Sequence, residues 1–324
     1  MKMMKNQILI KIIFLLCNIW LFGTPLVAQE VSRLKLVQKY ILDTDPYPQR
    51  MDLSGLTSDG KHLYTVSDLS DQNDIFRIEL DPHPRLIKFM ALDTEWLNEW
   101  QMKNRDHGRY DTEGIAYCDG KFYLAEESTR NVLEVNIQNS VYKPMLIEPN
   151  WVRFHAQKHT MNPFSGLKNA GLEAIACHQD KGSIFLFNER QFRMGYILTV
   201  ENATLRAQFT IPSGFKYPRK ESRSWIFPDF AGAHLHGGSL YTLVRNSQLI
   251  VKIDPTNFRV LKRWTYGNTA RKIFKQKDFF GLAEGLAIYE GHFFVILDHN
   301  LWMHKNSEIR NPVLLKFSVE DGNL

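Results

Sequence analysis

Cysteine is scarce, at three residues in 324, and Cys17 lies inside an N-terminal apolar stretch. Downstream only Cys118 and Cys177 remain, which excludes a disulfide-dense scaffold. Neither has C-x-x-C or Cys/His metal spacing, and each follows an apolar run, so two buried thiols are expected rather than a bridge. Charge of one sign is also scarce. Lys and Arg number 40 against 35 Asp and Glu, but Lys2, Lys5 and Lys11 fall in the first 28 residues, leaving 37 against 35 beyond them. A near-neutral body with no basic run has no electrostatic footprint for nucleic acid, and none is expected as a partner. Gly-x-Ser-x-Gly, HExxH and P-loop motifs are missing, so serine hydrolase, zincin and nucleoside-triphosphatase readings have no support. At 44% hydrophobic and 23% charged, the composition excludes disorder and fibrous folds.

Long hydrophobic runs are missing except at the start. Lys2 and Lys5 precede the apolar stretch Ile12 to Phe22, followed by Gly23, Pro25 and Leu26-Val27-Ala28. This predicts a signal peptide over residues 1–28, with an uncleaved anchor as the alternative, and hence a secreted or periplasmic protein with no membrane span after cleavage. Cys17 is preceded by Leu16 where a lipoprotein box wants a small residue. Residues 29–324 are then one domain, read as a monomer.

What is present is a repeat. Asp52-Leu-Ser-Gly-Leu56, Asp111-Thr-Glu-Gly-Ile115, Gly171-Leu-Glu-Ala-Ile175, Asp229-Phe-Ala-Gly-Ala233 and Leu282-Ala-Glu-Gly-Leu286 align, with anchors Ser54, Glu113, Glu173, Ala231 and Glu284 spaced by 59, 60, 58 and 53 residues. After each anchor comes a Gly turn, then an apolar run ending in a polar residue: Asp68, Glu127, Glu189, Arg245 and Asp298. That length fits a β-hairpin. A third alternating strand follows every time, and a fourth follows in the first four repeats. Four antiparallel strands per 50–60 residues predict an all-β, five-bladed β-propeller, with six blades as the alternative. The segment Leu34 to Leu42 is available to close the last blade by supplying its missing strand.

Blade geometry sorts the loops. The anchors, the ends of the second strands and the long links 93–110, 149–170, 212–228 and 266–281 share one face, where binding residues usually gather. That face collects Glu113, Glu173 and Glu284 innermost, with Asp68, Glu127, Glu189 and Asp298 outside them. So many carboxylates repel, so some are protonated or a cation lies among them. Oxygen-only ligands favour a hard divalent ion, Ca²⁺ before Mg²⁺. The inner glutamates could equally serve the blades by accepting backbone N–H bonds. Arg245 breaks the pattern, either as a partner for neighbouring acids or as a hand for an anionic substrate. Loop residues Arg105, His107, Arg109, His155, His159, Arg190, Arg193, Arg223 and His299 could meet a phosphate or carboxylate. Trp96, Trp100, Trp151 and Trp225 suit a sugar platform, a partner surface or loop packing alike.

The phrases Asp111-Thr-Glu-Gly-Ile-Ala116, Tyr123-Leu-Ala-Glu-Glu127, Gly171-Leu-Glu-Ala-Ile-Ala176, Phe187-Asn-Glu-Arg190 and Ala283-Glu-Gly-Leu-Ala287 resemble the esterase-like activity of phytase family, over about residues 45 to 319. The resemblance implies an exported propeller whose recurrent acids act on phosphate or other esters. Glu113, Glu127, Glu173, Glu189 and Glu284 match its pattern, whereas Ala231 and Arg245 depart from it. The Glu-Gly opening is also similar to metal-dependent lactonase propellers, where an inner glutamate holds the ion.

Three functions are therefore expected to compete. The first is a metal-assisted hydrolase of a small anionic or ester substrate, with a cation on Glu113, Glu173, Glu284, Asp68 and Asp298, and with Glu127, Glu189, Arg190 and Arg245 as catalytic residues. The others are a non-catalytic propeller that binds a ligand or an envelope partner, and a glycoside hydrolase with paired carboxylates.

Overall fold

The computed structural model describes residues 31–47, 51–69, 74–92, 111–127, 131–137, 142–145, 171–188, 194–200, 205–210, 229–267, 269–274, 282–299, 303–304, 310–319 and 324. The expected signal peptide lies outside the described residues, and so do the links 93–110, 149–170 and 212–228. Residues Ser32–Leu324 form one compact unit. No helix among the described residues is long and apolar enough to cross a membrane.

The described chain is almost all strand. Three four-stranded antiparallel sheets follow one another: β2 (Leu53–Ser58), β3 (Leu63–Ser67), β4 (Asp74–Glu79) and β5 (Arg85–Ala91); β6 (Thr112–Cys118), β7 (Lys121–Glu126), β8 (Asn131–Asn136) and β9 (Tyr142–Met145); β10 (Leu172–His178), β11 (Ser183–Asn188), β12 (Met194–Thr199) and β13 (Leu205–Thr210). An eight-stranded sheet holds β14 (Phe230–His236), β15 (Ser239–Val244), β16 (Leu249–Ile253) and β17 (Val260–Thr265), then β18 (Ala283–Tyr289), β19 (His292–Leu297), β20 (Val313–Val319) and β1 (Val31–Ile41). Its order is β14-β15-β16-β17-β1-β20-β19-β18, so β1 joins the two halves. A five-residue helix, α1 (Thr269–Ile273), lies between β17 and β18.

Local sequence explains the hairpins. Asp119-Gly120 and Glu290-Gly291 both have positive φ at each residue, the conformation that a tight two-residue turn between right-twisted strands requires. The second strands are continuous apolar runs because they are covered on both faces: every residue of β11 is buried, as is β19 after His292.

Each set of four strands packs its first strand on the first strand of the next set, in the order β2, β6, β10, β14, β18 and back to β2. The motif glycines permit this. A Cβ on Gly114 would lie 2.6 Å from the Glu173 carbonyl oxygen, one on Gly285 would lie 2.5 Å from Leu56 N, and one on Gly232 would lie 2.7 Å from Leu286 N. Only glycine tolerates such an approach of backbone to backbone. Apolar clusters fill the wedges between successive sets of four strands. One joins Phe187 to Phe230 and Leu240, another joins Tyr241 and Trp264 to Phe293, and a third joins Leu53 and Phe76 to Phe294 and Leu314.

The N-terminal strand pairs antiparallel with β20, from Leu34 opposite Val319 to Ile41 opposite Val313. Beyond it Leu42 N–H donates to the Pro312 carbonyl at 3.0 Å, and Asp43 exchanges backbone hydrogen bonds with Pro84 and Leu86 at 2.8 and 2.9 Å. The start of the chain thus ties the last sheet to the first.

One expectation is corrected. Cys118 and Cys177 are not separate thiols but a disulfide, with Cα atoms 6.0 Å apart. They are 59 residues apart, one repeat, which places them at matching ends of the adjacent inner strands β6 and β10.

Candidate functional site

The anchors owe their placement to β-bulges. In the pairing of β6 with β7 the register slips between Thr112 and Gly114, leaving Glu113 as the extra residue. The same slip isolates Glu173, Ala231 and Glu284 in β10, β14 and β18, and Gly55 next to Ser54 in β2. A bulge re-aims a side chain at the end of a strand, so the repeat carries its acids on one recurrent backbone irregularity.

A second recurrent feature brings the outer residues alongside. The N–H groups of Asp68, Glu127, Arg245 and Asp298 donate to the carbonyls of Asp52, Asp111, Asp229 and Leu282 at 2.9–3.0 Å. Three acids absent from the sequence-based candidate set, Asp52, Asp111 and Asp229, therefore stand beside the expected ones. The signal was present: Asp recurs at the first position of three of the five motifs.

Two groups among the described residues have ligand atoms within 4.8 Å of one another. The first is Asp111, Glu113 and Glu127; the second is Asp52, Asp298 and His299. Within the first, the Ser54 hydroxyl donates to Glu113 Oε2 at 2.7 Å and lies 2.9 Å from the Glu113 carbonyl, and Gly171 N–H donates to Glu127 Oε1 at 3.0 Å. Burial pushes Glu113 up, the Glu127 charge adds to it, and Ser54 and Arg245 oppose it. Asp111 rises to about 9 through burial and then the charges of Glu113 and Glu127. Asp68 rises to about 10 through burial and then the charges of Glu113, Asp298, Asp52 and Asp111, so it feels both groups. In the second group, His299 Nε2 is 3.9 Å from Asp52 Oδ1, and all three residues are buried.

Arg245 organises the other side. Its Nε and Nη2 donate to the two oxygens of Asp229, each at 3.1 Å, and its Nη1 donates to Glu284 Oε2. Nη2 is also 3.3 Å from Glu173 Oε1. The guanidinium is thus held by three carboxylates in a site where it is only 6% exposed. Burial raises Glu284 to about 7 against the opposing pull of Arg245.

The expected metal ligands therefore divide. Glu113 lies in the first acid group, Asp298 in the second, Asp68 in the field of both, and Glu173 and Glu284 on Arg245. Of the expected catalytic residues, Glu127 joins Glu113, Arg245 is ion-paired, and Glu189 and Arg190 lie outside the described residues. An all-oxygen trio in which the Glu127 charge raises both Asp111 and Glu113 suits a hard divalent cation.

Comparison with known proteins adds the following. A family model described as phytase-like, esterase-like activity of phytase, matches residues 51–224. The glutaminyl cyclase of Myxococcus xanthus is similar in structure, with a TM-score of 0.51 and 12% identity over 89% of this chain and 97% of that one. The PQQ-bound aldose sugar dehydrogenase of Streptomyces coelicolor aligns over 90% of this chain and all of its own, at 11% identity and a TM-score of 0.46. No curated protein matches by sequence. At such identity the cyclase speaks for the fold alone, which is all-β and propeller-like.

Proposed function

The chain belongs to the phytase-like family, and from that premise we propose that it is an exported five-bladed β-propeller that hydrolyses phosphate or other esters with a divalent cation at its acidic mouth. Support for five blades comes from the inner strands, whose contacts return to β2 after five steps, and from β1, which completes the last set of four. Export is supported by the Cys118–Cys177 bridge, which suits an oxidising compartment, together with the basic and apolar pattern of residues 1–28.

The observation that carries the catalytic reading is the convergence of Asp111, Glu113 and Glu127 within 4.8 Å. These three would hold the ion, Ca²⁺ before Mg²⁺ because the donors are all oxygen and the surround is large. When bound, the ion polarises the ester and lowers the pKa of water beside it. Asp298 extends the negative surround, and Asp68, raised by burial and by the neighbouring acids, holds a proton that a cation in the site would displace. Glu173, Glu284 and Asp229 fix Arg245 as an internal counter-charge. Glu189 is assigned the proton transfer as an outer carboxylate and Arg190 the anionic group of the substrate, which a guanidinium binds bidentately.

A second reading has its own observation. The Ser54–Glu113 and Gly171–Glu127 bonds join neighbouring sheets, as expected if these acids serve the fold of a non-catalytic, ligand-binding propeller. A substrate panel separates the two. Phosphomonoester, phosphodiester, carboxyl-ester, lactone and glycoside substrates are assayed with and without Ca²⁺, using wild type and Glu113→Gln. Calcium-dependent turnover of an ester that Glu113→Gln abolishes supports the hydrolase, and no turnover on the whole panel leaves the binding propeller.

A further inference from the structure

The inner strands carry acids where they begin and a cavity where they end, about 16 Å away at roughly 3.3 Å per residue. This cavity has a volume of about 460 Å³ and is lined by the last residues of β2, β6, β10 and β14 and the turns that follow. Ala116, Ala176 and Ala233 form part of its wall, where larger side chains would fill it.

Three histidines face the same space: His178 at the end of β10, and His234 and His236 two residues apart on β14, which puts them on one side of that strand. His178 is only 8% exposed, and its Nδ1 is buried with no hydrogen-bond partner. The ring itself lines the cavity, as do His234 and His236, and three imidazoles brought to one cavity point to a ligand that hydrogen-bonds to them. The Cys118–Cys177 bridge lies in the wall next to His178 and fixes β6 to β10, so the site is built in advance of its ligand.

The lining also selects the ligand's chemistry. Among the described residues, the histidines are not in a group close enough to share a metal ion, and the volume suits a molecule of several polar groups. No lysine or arginine stands among the described lining residues, whereas Asp59 and Asp180 do, so the wall itself offers an anion no cationic side chain, with Lys181 and Lys252 acting on the histidines from outside the lining. Burial holds His178 and His234 below the ordinary histidine range, His234 down to about 4, and partial desolvation with the Lys252 charge lowers the more exposed His236. Each ring therefore presents one N–H donor and one lone pair. An ammonium group brings donors only and would leave the imidazole N–H groups unpaired. A hydroxyl brings both.

We propose that this cavity, at the end of the inner strands away from the acids, binds a small uncharged polyhydroxylated molecule such as a sugar or polyol. The proposal does not depend on the hydrolase reading, since the two sites share no residue.

Isothermal titration and saturation-transfer NMR on the purified protein, with glucose, maltose, myo-inositol and sorbitol as probes, test it. Inorganic phosphate, putrescine and Zn²⁺ serve as the competing classes. Saturable binding of at least one polyol is expected, with Kd rising tenfold or more in His178→Ala and severalfold in His236→Ala, while the response to Ca²⁺ is unchanged. If His178→Ala does not fold, the exposed His236→Ala decides. No binding of any polyol, stronger binding of phosphate, putrescine or Zn²⁺, or a Kd indifferent to His236→Ala together with a folded His178→Ala overturns the proposal.

Discussion

Arg245 is the side chain on which most of the mouth's charge balance depends, because Asp229, Glu173 and Glu284 all meet it in a buried site. Removing one partner of a buried ionic network leaves the others uncompensated, at a cost of about 3–5 kcal/mol. Arg245→Met should lose about that much in urea denaturation, and adding Glu284→Gln should recover part of it. A loss below about 1 kcal/mol would show that the network does not hold the mouth together. The partner role of Arg245 was one of two readings the sequence allowed, and coordinates were needed to separate them because Asp229 lies 16 residues away and Glu284 lies 39 away. The bulges that aim Glu113, Glu173 and Glu284 were not legible, since a bulge is a fact of register between two strands. Asp52, Asp111 and Asp229 were legible in principle as a recurrent first motif position, but Gly171 and Leu282 break the recurrence.

Elements joined across a full repeat account for the disulfide. Local spacing between Cys118 and Cys177 carries no information, whereas the repeat period puts the two ends of β6 and β10 side by side. Cys177→Ser should cost roughly 2–4 kcal/mol, and a reductant should cost wild type the same, while leaving the variant's melting unchanged. Equal stability of the two oxidised proteins would show that the bridge constrains nothing. The closing strand was legible because the fifth repeat stops one strand short and β1 precedes the first. Its pairing runs from Leu34 to Ile41 against β20, and the chain then reaches Asp43 beside Pro84. Deleting residues 29–42 would free the edges of β17 and β20, and unpaired edges aggregate. An insoluble or non-cooperative truncation is expected. A soluble one that melts cooperatively would contradict closure by β1.

Across the whole molecule, acids at one mouth and histidines at the other give stability opposite pH slopes. His234, held at about 4, is neutral when folded and protonated when unfolded below about 6.5, so its contribution fades as pH falls through that range. Asp111 and Asp68, raised to about 9 and about 10, keep protons in the folded state that the unfolded chain has released above about 4. Their burden therefore grows as pH rises toward 9, and between pH 7 and 9 the histidines are neutral in both states. The EDTA-treated protein should lose Tm steadily over that window, and a divalent cation that replaces those protons should flatten the slope. The most direct measurement of a cation at Asp111, Glu113 and Glu127 is calorimetric melting of EDTA-stripped protein at pH 8 with and without Ca²⁺, in wild type and in Glu113→Gln. A Tm that rises with Ca²⁺ in wild type, and much less in Glu113→Gln, is the predicted result. A Tm indifferent to Ca²⁺, with no bound metal by elemental analysis before stripping, would contradict it.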